Sequence, residues 1–296
     1  MISSTKTVLF YSFKGGVGRT QLMLNSAKHL TSKGKKVLMV DLDIHAPGLS
    51  YWDIDSRIKD SEEDYLLYYI VNFFSGLDIS NKVYVKEINQ NLFLAPIYDM
   101  SNISTYQQLL VSFSQFSYDI RTKLNENIRE NEKLSDIIFK SFINKLQDTG
   151  EYDYIFLDSR TGFTEISDIL FSSQIDLKVI VSAYNKQNIK GTNTVLSLLS
   201  KIVCSHSILR ILSLKPEKCE GKIIEQLKSE ANLDDNQDLK NKFFWNDIME
   251  IFYDSTIVTN DFNTWENLND STQYKKQVID IVNQIEKICI GEKFEL

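Results

Sequence analysis

The stretch Phe13–Thr20 reads FKGGVGRT and follows a short apolar run, Thr7–Ser12 (TVLFYS). A glycine-rich turn between a strand and a helix is the local form of a phosphate-binding loop. Glycines let backbone N–H groups turn toward phosphate oxygens, and the helix that follows adds its dipole. The usual spelling is G-x-x-x-x-G-K-[ST]. Here Phe13 stands where the first glycine belongs, and Arg19 where the lysine belongs. Arg19 offers a planar fork of donors suited to phosphate oxygens, where lysine offers a point charge. Thr20 is placed to offer its hydroxyl to Mg²⁺. A purely structural glycine turn is the competing reading, and the flanking strand and helix weigh against it.

Outward from the loop, Thr20–Thr31 reads as a helix ending near Gly34, a fitting C-terminal cap. Lys36–Asp43 (KVLMVDLD) is a second buried strand, after which Pro47 and Gly48 break the chain. Strand, loop, helix, strand is one βαβ unit, which implies a parallel sheet. Further strands are expected at Leu92–Pro96, Tyr154–Asp158, Leu177–Ala183 and Ile208–Leu214, with helices at Ile166–Phe171, Ile189–Lys201 and Tyr274–Ile290. The last helix puts Tyr274, Val278, Ile281, Ile285 and Ile288 on one face. Its opposite face mixes acids and bases, which favours docking on the core over membrane targeting. Tyr65–Phe74 is apolar all round, a buried helix first and a dimer or partner contact second. Pro216–Lys242 reads as a polar loop with a short surface helix. The fold class is α/β: a doubly wound, mostly parallel sheet flanked by helices. No repeat or clear linker divides the chain, so residues 1–296 read as one domain.

Composition narrows the partners. A net charge of −7 argues against nucleic acid bound through a general basic surface. Cys204, Cys219 and Cys289 show no metal-ligand spacing, so no metal cluster is expected and a reduced, cytoplasmic setting is. No apolar run reaches transmembrane length, and the start is too polar for a signal peptide. Arginine usage says more: among 27 Lys and only 6 Arg, Arg19 and Arg160 both fall in motif-like stretches.

Two further constellations sit on predicted strand ends, where open α/β sheets bind ligands. Asp41-Leu42-Asp43 closes the second strand, with mere strand capping as the alternative. Tyr154–Asp158 is an apolar strand ending in an acid, and Ser159-Arg160-Thr161-Gly162 follows it. An aspartate so placed can hold Mg²⁺ through water.

Together these residues resemble the ParA/MinD-type ATPases, a branch of the P-loop NTPase fold with a deviant Walker A loop, KGGxG[KR][ST]. The resemblance covers about residues 5–215. It implies that Phe13 need not be glycine and that Lys14 reaches across a homodimer to the partner's nucleotide. Gly15, Gly16, Val17, Gly18, Arg19 and Thr20 would cradle the phosphates. Asp43 would orient or activate the attacking water, and Asp41 would support the waters of Mg²⁺. Asp158 and Thr20 would hold the metal, and the Gly162 N–H would meet a γ-phosphate. Adenine, hence ATP, is implied by the resemblance and by no residue of its own. The spellings KGGVGR, APGLS (Ala46–Ser50) and DSRTG (Asp158–Gly162) resemble a variant subgroup, some of whose members are linked to prokaryotic signalling or defence proteins.

Three roles are open to Arg160: sensing a γ-phosphate, contacting a partner subunit, or pairing with a nearby carboxylate. Asp43 and Asp158 lie 115 positions apart, and the surplus falls in the helical stretch 104–147, read as an insertion that docks a protein partner. The expected function is a slow, Mg²⁺-dependent ATPase working as a nucleotide-driven dimerisation switch on a partner protein. The alternative is a nucleotide sensor with little hydrolysis, motivated by Arg19. A small-molecule kinase lacks an acceptor pocket, and a partition role rests on analogy alone.

Overall fold

A computed structural model describes residues 5–53, 65–74, 83–125, 134–162, 169–170, 172–202, 206–215, 243–245, 248–252, 254 and 264–290. The expected segments at 166–171 and 216–242 fall wholly or mostly outside them.

Five strands carry the sheet: β1 (Lys6–Tyr11), β2 (Val37–Leu42), β5 (Tyr154–Ser159), β6 (Leu177–Ala183) and β7 (His206–Lys215). Side chains of β2, β5 and β6 are buried along their whole length, as expected where helices cover both faces of a parallel sheet. Successive residues in β1 point to opposite faces: Leu9 and Tyr11 enter one apolar cluster, Val8 and Phe10 the other. The strand order is β3-β4-β2-β5-β1-β6-β7-β8. Among the described residues only β3 (Lys86–Asn89) is antiparallel, joined to β4 (Leu92–Ala95) by a tight turn with Asn91 at φ 67°. Beyond β7, β8 (Phe243–Trp245) and β9 (Met249–Phe252) pair with successive parts of the same edge. Phe252 is the last residue of β9.

Helix α1 (Arg19–Ser32) covers one face together with α7 (Gln273–Ile290). Tyr274, Val278, Ile281 and Ile285 of α7 are buried, and Ile288 packs against the same cluster. The hydroxyl of Tyr274 accepts a hydrogen bond from Asn25 Nδ2 at 3.0 Å, so α7 is docked on the core, as its stripe predicts. The other face carries α2 (Leu66–Phe74), α3 (Ile103–Asn125), α4 (Leu134–Gln147) and α5 (Lys186–Ile202). Tyr106, Leu109 and Phe113 of α3 and Phe142, Ile143 and Leu146 of α4 enter the core cluster. Helices α3 and α4 are thus bound into the fold through these residues. A short α6 (Thr264–Asn267) precedes α7. Among the described residues no helix is long and apolar enough to cross a membrane.

β1 lies between β5 and β6, so consecutive crossovers depart to opposite sides of it. Such a reversal opens a crevice beyond the strands' C-terminal ends. Asp41 and Asp158 are register partners there, and Asp158 also pairs with Phe10.

Candidate nucleotide site

The loop after β1 turns on two glycines, Gly16 at φ 73° and Gly18 at φ 77°, and added Cβ atoms there would meet open space. Backbone conformation, rather than crowding, requires glycine at both. Gly18 is the N-cap of α1 and has no side chain to accept from the first N–H groups of the helix, which a ligand can then satisfy. Val17 is buried between them, and its carbonyl accepts a 2.6 Å hydrogen bond from Ser213 Oγ on β7.

Phe13, the departure from the common motif, points away from the crevice. Its ring lies on Gly191 of α5, where an added Cβ would stand 2.0 Å from a ring carbon. A glycine inside a helix costs roughly 1 kcal/mol, and here it provides the seat for an aromatic ring that roots the loop.

Arg19 turns inward and is 7% exposed. Its Nε donates to Asp158 Oδ1 at 2.6 Å, Nη1 to Ser12 Oγ at 3.4 Å and Nη2 to Thr20 Oγ1 at 3.5 Å. Nη2 also lies 3.8 Å from Asp43 Oδ2. Thr20 Oγ1 donates to the other Asp158 oxygen at 2.7 Å. The three sequence elements, far apart in the chain, thus form one connected set.

Asp41 is fully buried. One of its oxygens accepts from the Asp43 N–H at 3.1 Å, the other from Ser50 N–H and Oγ, both at 2.9 Å. Burial, and then the neighbouring Asp158 carboxylate, push its carboxyl up to about 7, against the Ser50 and Asp43 hydrogen bonds. Its role in this state is to brace the loop from Asp43 to Ser50. Burial also raises Asp43, opposed chiefly by the Arg19 guanidinium. Asp43 Oδ1 accepts from the Ala46 N–H at 3.3 Å.

Among the described residues no group of three or more His, Cys, Asp or Glu gathers to hold a metal alone. Mg²⁺ needs no such cage: it takes one or two protein oxygens, waters and substrate phosphates. The half-buried Thr20 Oγ1 and the buried Asp158 carboxylate, hard-oxygen donors 2.7 Å apart beside a phosphate-type loop, fit that pattern.

Lys14 is half-buried at the rim. Arg160, also half-buried, acts electrostatically on Asp43 and Tyr106. Gly162, at φ 74°, spends its N–H on the Ser12 carbonyl at 3.3 Å. Gly15 faces Thr161, where its added Cβ would lie 3.9 Å from the threonine methyl. The sequence reading gives Ser12, Ser50, Ser213 and Gly191 no role in the site. Ser50 alone carried a signal, the APGLS spelling; the others acquire meaning only through partners distant in the chain.

A family model described as an AAA domain matches residues 5–211. A plasmid partition protein from Borrelia burgdorferi superposes with TM-score 0.59 at 19% identity, covering 96% of this chain and 98% of that one. The ATP complex of an Asp-to-Ala variant of Cyanothece McdA gives 0.60 at 19%, covering 99% of each. The MinC:MinD cell division complex of Aquifex aeolicus gives 0.55 at 21%, covering 99% of this chain and 98% of that one. An uncharacterised protein of Borreliella burgdorferi, BBD21, is 36% identical over 92 residues, 31% of this chain and 33% of that protein's length.

Proposed function

This chain belongs to the AAA-domain family and has the ParA/MinD-type P-loop fold, and from that premise we propose that it is a Mg²⁺-dependent ATPase acting as a nucleotide-driven dimerisation switch on a partner protein. The observation that carries the reading is the convergence of Arg19, Thr20, Asp43 and Asp158 under the glycine loop. The fold itself is shared with an ATP-bound McdA.

Phosphoryl transfer needs positioning and charge neutralisation more than covalent chemistry. The N–H groups of Gly15 to Thr20 would cradle the phosphates. Arg19 would leave Asp158 for the phosphate oxygens, freeing Asp158 and Thr20 to hold Mg²⁺. When bound, that ion would supply charge neutralisation to the phosphate oxygens. Asp43 would orient the attacking water once Arg19 has moved off it. Gly162 would exchange the Ser12 carbonyl for a γ-phosphate oxygen, and Arg160, beside Asp43, would face the same charge. Lys14 would cross to the nucleotide of a second copy.

The solved MinC:MinD complex supports a protein partner, and the KGGVGR spelling supports a setting in prokaryotic signalling or defence. The outer side of α3 and α4 is the surface we assign to that partner. Their inner side belongs to the core, so exchange of exposed residues such as Val111 tests it better than deletion.

The deciding experiment is phosphate release by wild type and Asp43→Ala. A wild-type rate well above the variant's supports the ATPase. Equal rates with intact ATP binding favour a sensor, the second reading. The commitment of the Arg19 fork to both Asp158 and Asp43 is what favours that alternative.

A further inference from the structure

Asp43 is connected to α3 by a hydrogen bond that the nucleotide chemistry does not use. Tyr106, in the first turn of α3, is buried and donates its hydroxyl to the carbonyl of Ile44. Ile44 is the residue after Asp43 and is 2% exposed. The ring of Tyr106 is held independently of that bond. It stacks on Tyr98 with centroids 6.0 Å apart and planes at 27°, and Tyr98 packs in turn on Tyr65 at 5.2 Å. The hydroxyl therefore comes from a fixed platform onto a loop otherwise braced at its ends by Asp41, through Asp43 N–H and Ser50. Between those ends, Ala46 returns its N–H to Asp43. Asp41, Asp43, Tyr51 and Arg160 all act electrostatically on the phenol, which places it at the carboxylate end of the crevice.

We propose that Tyr106 is a positioning residue for Asp43: by gripping the Ile44 carbonyl it sets the Asp43–Ser50 loop and makes α3 the element that controls it. A carboxylate that must orient a water tolerates little displacement, and an ångström of drift costs far more in rate than in binding. Without the phenol hydroxyl, the Ile44 carbonyl is left buried and short of a donor.

The test is Tyr106→Phe, which removes one oxygen and keeps the stacked ring. Amide hydrogen exchange of a peptide spanning 43–50 is measured without nucleotide and with AMPPNP and Mg²⁺. Loss of one net hydrogen bond should speed exchange there about fivefold, with 177–183 unchanged. Tyr98→Phe trims a hydroxyl from the neighbouring ring without touching Ile44 and should leave 43–50 at the wild-type rate. In turnover, Tyr106→Phe should lower kcat roughly tenfold with the AMPPNP Kd within about twofold. The turnover arm rests on the ATPase reading; the exchange arm does not. If wild type releases no phosphate, that reading falls and exchange alone decides. Unchanged exchange over 43–50, or an equal increase in Tyr98→Phe, overturns the role of Tyr106.

Discussion

The ring of Phe13 occupies the space that a side chain on Gly191 would fill, with a ring carbon 2.0 Å from the missing Cβ. The residue that makes the loop look irregular is its anchor to α5. Gly191→Ala should gain helix propensity of roughly 1 kcal/mol and lose about 1–3 kcal/mol to overpacking. The net effect in wild type is a loss. With Phe13→Ala already in place the clash is gone, and Gly191→Ala should become stabilising. Denaturant unfolding of the four proteins of this cycle reads the reversal of sign directly.

Arg19 sits where a cation would neutralise Asp158. Removing one member of a buried ion pair costs about 3–5 kcal/mol, so Arg19→Ala should lower the melting temperature markedly. Mg²⁺ alone should then restore part of the loss, because Asp158, Thr20 and Asp43 are released to it. Wild type, whose Asp158 is already held at 2.6 Å, should shift little with Mg²⁺ in the absence of nucleotide. Thermal unfolding of both proteins with and without millimolar MgCl₂ checks this.

Ser213 reaches from β7 to the Val17 carbonyl at 2.6 Å, and its neighbour Leu214 sits at φ 57°, rare for a side chain of that size. Ser213→Ala should cost about 1 kcal/mol of stability. It should also weaken AMPPNP binding severalfold, because the loop N–H groups are then less well fixed. Titration calorimetry gives the affinity, and chemical unfolding the stability.

His29 provides a pH dependence remote from the site. Burial, and then Lys33, lower its imidazole below the ordinary value, and its ring lies 5.4 Å from that of Trp265. A group with a depressed folded pKa contributes stability above its unfolded pKa. That contribution is lost as pH falls through the folded value. Relative to wild type, His29→Gln should lose less melting temperature between pH 7.5 and pH 5.5.

Strands β1, β2, β4, β5, β6 and β7 were legible because they are largely buried, which writes them as mostly apolar runs. β3 alternates half-buried and exposed residues, and β8 and β9 are three and four residues long. β3 carries no apolar run, β9 is interrupted by Glu250, and the apolar β8 is too short to stand out, so none of the three is expected from the sequence. In the site, Arg19, Thr20, Asp43 and Asp158 announced themselves by spacing from glycines and strand ends. Gly191, Ser213 and Tyr106 could not. An isolated glycine in a helix, a serine closing a strand and a tyrosine on an apolar stripe each have a plainer local meaning. Their roles exist only in the contacts with Phe13, Val17 and Ile44 that the fold creates.

If nucleotide drives a change of assembly through Lys14, light scattering coupled to size exclusion reads it as a change of mass. With ATP and Mg²⁺, wild type should move from monomer mass toward dimer mass and return as ATP is exhausted, while Lys14→Ala stays monomeric with ATP bound. A wild-type mass indifferent to ATP, or a Lys14→Ala variant that dimerises as wild type does, would contradict it.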